Sequence, residues 1–395
     1  MNRPLRIAVA SSGLGHVTRG VEAWAADLAL ALHTRGEDVC LFKGGGRRGA
    51  EYEHVLPCYQ RGAASTERLV RWAPRGAWRV GLGSVYEIEQ ATFSFRLLHE
   101  LRSRRIDVLH VQDPQVAVWA QWAKRLGFIR TKTVLAHGTQ EPLAFQSRIR
   151  YLQHLAPWHL ERAKSSGVWR AEWTAIPNFV DTDVFRPGRS DELRRELGIP
   201  AEHFVVLSAA AIKRNHKRVD HLITEFARFC AARPDAKATL VVAGGHEAET
   251  DEVMKLGHEQ LGDRVRFLVR FPRARMPELY RTANVFVLCS LFEMMPIAIL
   301  EAMASGLPCL TNRHPILEWM IGAGGQARDM VTPGELASAL ARLHDAPNER
   351  LALGEAARRL SIDEFGRDRV VEQILDYYGF VLRRSRGSAR SPNGV

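Results

Sequence analysis

Two carboxylates, Glu293 and Glu301, stand with seven residues between them in the apolar stretch "SLFEMMPIAILEAMASGLPCL". An apolar helix packed on a sheet needs neither. The preceding "VFVLCS" reads as a buried strand. Pro296 suits the first helical position, where its missing N–H costs nothing. "PIAILEAMAS" then reads as a helix that Gly306 stops. Glu293 falls in the strand-to-helix turn, and Glu301 lies roughly 7.5 Å along the helix from Pro296 at 1.5 Å per residue. Between them the helix N-terminus offers free N–H groups and the positive end of its dipole to an anion. Carboxylate, anion hole, carboxylate is a template for a phosphate with a hydroxyl-rich group on each side, as in a nucleotide sugar. The alternative is a surface acid in the turn and a second acid reaching from the helix to water.

Three other groups of residues carry chemistry. "IKRNHKRVDHL" places Lys213, Arg214, Lys217 and Arg218 between a strand and a helix, where cations can hold a diphosphate or simply face solvent. "SSGLGHVTRG" follows the first strand, and Gly13 and Gly15 allow close approach of a ligand or form a plain tight turn. His16 in that turn is either a polar contact or a capping residue. His137 ends the strand "TKTVLAHG", where it could bond a sugar hydroxyl, act as acid or base near neutral pH, or be structural. The chain has no HExxH motif, nucleophile elbow or P-loop, and no motif for a metal site.

The elements that must position these residues alternate between strand and helix along all 395 residues. "RIAVASS", "DVCLFKG", "DVLHVQ" and "TKTVLAHG" read as strands of a first series, with helices at 20–36, 87–104 and 115–127 between them. Residues 47–85 read as irregular. A Pro- and Gly-bearing linker, "EWTAIPNFVDTDVFRPG", separates this series from a second that begins at "FVVLSAAA". Two βαβ series of similar size imply two doubly wound parallel sheets, with ligands beyond the strand carboxyl ends. The expected division is a first domain over 1–180, a second domain over 181–365, a helix over 366–385, and a disordered basic tail over 386–395.

Composition narrows the partners. A net charge of +11 favours anionic ones: nucleotide phosphates, lipid headgroups or nucleic acid. No helix-turn-helix, zinc-finger or RNA-binding signature supports nucleic acid. No stretch approaches the 18 or so apolar residues of a membrane span. The five cysteines are scattered without a CxxC, which points to reduced cytoplasmic thiols. "RLVRWAPRGAWRVGLG" sets Trp72 and Trp78 among arginines, a composition suited to a bulky acceptor, to an anionic membrane surface on the inner face, or to a flexible loop.

"FEMMPIAILEAMASGLP" resembles the E-x7-E segment of the retaining glycosyltransferases of family 4, "IPNFVDTDVFRP" their I-P-N-G-V-D linker, and "KRVDHLITEF" their K-G-x-x-x-L-x-x-A-F segment. "RGVEAWAADLALALHTRGEDV" is similar to their first helix and "MPELYRTANVFVLCS" to the strand before the acidic motif. The resemblance runs from residue 6 to about 380. It implies the GT-B fold, in which two Rossmann-like domains face each other across a cleft, and a metal-independent retaining glycosyltransferase with no cofactor beyond its nucleotide-diphosphate sugar co-substrate. It implies that Glu293 contacts donor-sugar hydroxyls, Glu301 the ribose and Lys217 the diphosphate, with Gly15 on the cleft floor and His137 beside the sugar. Lys217, Glu293 and His137 form the implied catalytic set. Lys213, Arg214, Met294, Met295 and Pro296 complete the donor contacts, and His16, Trp72 and Trp78 lie on the acceptor side.

Three departures matter. Ala211 and Ile212 occupy the place of the family's G-R-L arginine segment, leaving Lys213 or Arg214 to replace it. Met294 stands where glycine is usual, and Phe179 replaces the linker glycine. A non-hydrolysing nucleotide-sugar epimerase shares the architecture, but the E-x7-E spacing and the linker argue against it. A non-enzymatic lipid or nucleic-acid binder is the remaining alternative.

Overall fold

The computed structural model describes residues 5–17, 19–72 and 82–387. The chain divides into two compact units, residues 1–177 with 371–395, and residues 178–370. The first unit holds seven strands: β1 (Arg6–Ser11), β2 (Asp38–Lys43), β3 (Glu53–Val55), β4 (Val108–Val111), β5 (Lys132–His137), β6 (Tyr151–His154) and β7 (Thr174–Ala175). They pair in parallel in the order β3-β2-β1-β4-β5-β6-β7. The second unit holds six: β8 (Phe204–Ala209), β9 (Ala238–Gly244), β10 (Val265–Val269), β11 (Val285–Leu288), β12 (Cys309–Asn312) and β13 (Gly325–Arg328). Their order, also all parallel, is β10-β9-β8-β11-β12-β13.

Central strands of an all-parallel sheet are covered on both faces, so they read as unbroken apolar runs rather than as alternation. Ile7–Ala10 of β1, Val205–Leu207 of β8 and Val285–Leu288 of β11 are buried throughout. The amphipathic helix Val219–Ala232 shows the complementary pattern. Leu222, Ile223, Phe226 and Phe229 recur at helical spacing and enter the core of the second unit. In both sheets the strand order reverses beside the first strand, between β1 and β4 and between β8 and β11. The crevice at such a reversal is where the loops leaving two neighbouring strands diverge and leave room for a ligand.

The structure differs from the sequence reading in several places. Residues 47–85 contain the strand β3 and a helix, Ala64–Trp72. β3 is a three-residue edge strand with half-buried side chains, too short to show a period. Trp78 lies outside the described residues. The unit boundary falls after Pro177 rather than at residue 180, because Asn178 is tied into the second unit: its Nδ2 donates to the Met295 carbonyl at 2.9 Å. The last helix spans Arg367–Gly387. It begins in the second unit and belongs to the first from Val371 on, where His110 Nδ1 and the Tyr378 hydroxyl lie 2.7 Å apart. Arg386 and Gly387 of the expected tail are therefore helical, and residues 388–395 lie outside the described residues.

Candidate functional site

In the second unit, the loop after β8 carries the four cations and the loop after β11 carries Glu293. β8 and β11 are neighbours in the sheet, so the two loops emerge side by side. The Lys217 ammonium is paired with the Glu293 carboxylate, and the two side chains are 18% and 12% exposed. The loops are joined in two further ways. Leu291 N–H donates to the His216 carbonyl at 2.9 Å, and the His216 ring stacks on Phe292 at 5.0 Å. Arg218 adopts φ 52° at the start of the Val219–Ala232 helix, with its N–H donating to the Arg214 carbonyl at 2.8 Å. A side chain in this left-handed region costs of order 1–3 kcal/mol, a strain that the surrounding contacts must hold in place.

The two candidates for the missing arginine separate here. Arg214 is drawn to the acids of the next loop: its Nη1 is 3.2 Å from Glu252, and its N–H donates to Glu249 at 2.9 Å. Lys213 makes no ion pair among the described residues, so of the two it is the cation left to take a phosphate.

The helix after Glu293 spans Ile297–Ala304. Pro296 is not its first residue but its N-cap, with ψ 119°. Proline brings no side-chain oxygen, so the N-cap residue leaves the first N–H groups of this helix uncapped. Glu301 is buried in that helix at 3% exposure, and its carboxylate is already engaged. Arg273 Nη1 donates to it at 2.9 Å and the Tyr280 hydroxyl at 2.8 Å. The alternative of Glu301 as an acid reaching from the helix to water does not hold. Arg273, in the turn after β10, was not singled out from the sequence, because nothing in "FPRARMPELY" distinguishes one of its arginines. Met294 is half-buried. Met295 is 4% exposed, and its carbonyl and sulfur both face Asn178, so it anchors the start of the unit rather than lining an open surface.

In the first unit, Gly15 has φ 100°, and a Cβ there would lie 2.1 Å from the Gly45 carbonyl oxygen. Glycine is required because the turn after β1 lies directly on the Gly44–Gly46 loop after β2, with Gly45 N–H donating to the Leu14 carbonyl at 3.0 Å. His16 Nε2 lies 2.8 Å from Glu89, which Arg61 and the Ser12 hydroxyl also reach. Burial works to raise the Glu89 pKa, but the bonds from His16 and Arg61 prevail and bring it down to about 2. Burial raises the neighbouring carboxyl groups of Glu22 and Asp113. Asp113 accepts the Ser12 N–H at 2.6 Å across the β1–β4 reversal. Arg61, Glu89, Asp113 and Glu22 escaped the sequence reading, since each sits singly in its own segment.

His137 ends β5 as expected, but it is 3% exposed. Its Nδ1 is 3.2 Å from His154 Nδ1, and its Nε2 is 3.2 Å from the Gln146 amide. Burial, with His154 and His159 beside it, pushes the His137 pKa well below 6.5. The reading of His137 as an acid or base near neutral pH is therefore withdrawn: the ring is neutral and spent on internal partners. Trp72 is 84% exposed at the end of the Ala64–Trp72 helix.

Residues 189–360 match the model of a family described as "Glycosyl transferases group 1". The matched segment contains Lys217, Glu293 and Glu301. The chain is also 30% identical over 217 residues to D-inositol 3-phosphate glycosyltransferase 1 of Catenulispora acidiphila, a match that covers 53% of this chain and 51% of that protein. The chain thus spans about half the length of the curated relatives it matches. Among solved structures it is similar to sucrose-phosphate synthase from Thermosynechococcus elongatus, with TM-score 0.78 and 20% identity over 96% of this chain and all of that one (100%). It is also similar to Anabaena HepE in complex with UDP-glucose, with TM-score 0.70 and 18% identity over 95% of this chain and 100% of that one. The fold is GT-B. The resemblance to glycosyltransferases read from the motifs is borne out.

Proposed function

We propose that the chain is a retaining, metal-independent glycosyltransferase that moves a sugar from a nucleotide-diphosphate sugar to an acceptor hydroxyl. The observation that carries this reading is the Lys217–Glu293 pair at the β8–β11 reversal, beside a helix N-terminus that its N-cap Pro296 leaves uncapped. The fold neighbour solved with UDP-glucose supports the donor class. The glycosyltransferase relatives support transfer over epimerisation or simple binding.

In this reading the pair is a resting arrangement. An incoming diphosphate competes for the Lys217 ammonium, with Lys213 beside it on the same loop, and Glu293 is released to accept bonds from sugar hydroxyls. The acceptor oxygen then bonds to the anomeric carbon as the carbon–phosphate-oxygen bond breaks. The acceptor's proton passes to the departing diphosphate on the same face, so configuration is retained. The main catalytic contribution is stabilisation of charge growing on the leaving phosphate. A hydrolysis screen across UDP-, GDP- and ADP-sugars, followed by NMR of the product with the donor that turns over, tests this reading. Failure to bind or hydrolyse any of them removes the donor assignment, and an inverted linkage removes retention.

Glu301 is assigned to the nucleotide ribose alongside its structural partners. Glu301→Gln keeps an oxygen for Arg273 and is the cleaner test. Glu301→Ala also strands Arg273 and Tyr280 and lowers stability as well as binding. Glu301→Gln should weaken binding of the free nucleotide diphosphate by about 1–3 kcal/mol in calorimetry. Unchanged affinity with an unchanged melting temperature would refute the ribose assignment.

A further inference from the structure

The first unit carries an exposed aromatic and cationic face that neither the donor chemistry nor the core uses. It is built from two helices that pack side by side, Val85–Ser103 and Pro114–Arg125. Phe95, Trp122, Leu126 and Phe128 are 62%, 54%, 79% and 41% exposed. They are linked rather than scattered: Phe95 meets Trp119 at 5.5 Å, and Trp119 and Trp122 are one helical turn apart. Arg125 lies over the Trp122 ring at 5.7 Å and Arg102 over the Phe128 ring at 4.8 Å.

The charge on this face is mostly positive. From Pro114 to Gln140 the sequence has no aspartate or glutamate, while Lys124, Arg125, Arg130 and Lys132 fall within that run. On the companion helix and its end, Arg96, Arg102, Arg104 and Arg105 stand against Glu100, which is paired with Arg104 at 2.6 Å. Exposed apolar side chains normally occur singly. Here indole, phenyl and leucyl groups sit among the guanidinium groups of Arg96, Arg102 and Arg125. That is the composition that inserts at a headgroup boundary while its cations meet anionic lipid.

We propose that this face docks the chain on an anionic lipid bilayer. The association is peripheral, since no helix among the described residues is long and apolar enough to cross a membrane. Apolar insertion and charge attraction both contribute, which is why a purely polyanionic partner is the less suitable occupant: it would leave Phe95, Trp122 and Leu126 uncovered. The proposal rests on the surface alone and stands or falls independently of the donor chemistry.

Co-sedimentation of the full chain with vesicles tests it. Vesicles of phosphatidylcholine with about one third phosphatidylglycerol should pellet the protein at low salt and release it in high salt, where charges are screened within a few ångströms. Pure phosphatidylcholine vesicles should not pellet it. The triple variant Arg96→Gln/Arg102→Gln/Arg125→Gln should lower the partition coefficient on the order of 10²-fold. Trp122→Ser/Leu126→Ser should lower it at least about tenfold. All five positions are exposed, and thermal melting monitored by circular dichroism confirms that each variant is folded. No pelleting with anionic vesicles, or equal pelleting with neutral ones, overturns the proposal. So does wild-type partition of Trp122→Ser/Leu126→Ser together with salt-sensitive oligonucleotide binding, which would assign the face to a soluble polyanion.

Discussion

Lys217→Ala is expected to lower kcat by about 10²–10³, the scale of losing one preorganised charge-stabilising donor. The loss should appear at saturating donor, because in the proposed mechanism the ammonium is needed most when the diphosphate departs. The side chain is only 18% exposed and is held by Glu293, so it arrives oriented and partly desolvated. Glu293→Gln should be milder than loss of a nucleophile, since an amide still bonds a hydroxyl. The comparison separates two mechanisms. If Glu293 formed a covalent glycosyl ester, Glu293→Gln would abolish turnover, and a trapped ester would be found on the wild type. Initial rates at saturating donor decide the point. A loss of less than about fivefold in Lys217→Ala would remove Lys217 from the leaving-group role.

Acidification from pH 7.5 to 5 is expected to cost the first unit much of its stability. His110, His137 and His154 are buried in it, at 0%, 3% and 0% exposure. Burial pushes His110 down to about 3. Burial, with His159 beside it, does the same to His154, also to about 3. His137 lies well below 6.5 for the same reasons. Below pH 6.5 the unfolded chain takes up protons that the folded chain refuses. The stabilisation is therefore complete above that pH and is lost as pH falls from 6.5 towards 3. At pH 5 His110 and His154 each cost about 2 kcal/mol, together about 4 kcal/mol of a typical 5–15 kcal/mol, and His137 acts in the same direction. Glu22, Asp113 and Glu141 have carboxyl groups raised by burial and titrate in the opposite sense. Urea unfolding of wild type and His154→Asn at both pH values isolates the histidine share. His154→Asn should lose about 2 kcal/mol less on acidification, and equal losses in the two proteins would show that His154 does not carry its part.

The residues that the sequence made visible are those whose meaning lies within one strand–loop–helix step. The apolar run of β11, the turn acid Glu293 and the helix carrying Glu301 are contiguous, so spacing alone placed them. The Lys213–Arg218 loop after β8 was readable in the same way, and the alternation of such steps gave two parallel sheets. What spacing could not supply is which steps become neighbours. Lys217 and Glu293 are 76 residues apart, and they meet because β11 pairs with β8, on the side of β8 away from β9. Hydrophobic periodicity reports which face of a segment is buried, not which segment covers it. For that reason Arg273 on Glu301, Arg61 on Glu89, and the stacking of the Gly15 turn on the Gly44–Gly46 loop were out of reach. The protonation of His137 was decided in the same way. A strand-end histidine is chemically open in sequence, and only its enclosure by His154, His159 and Gln146 removes the water that would let it carry a proton.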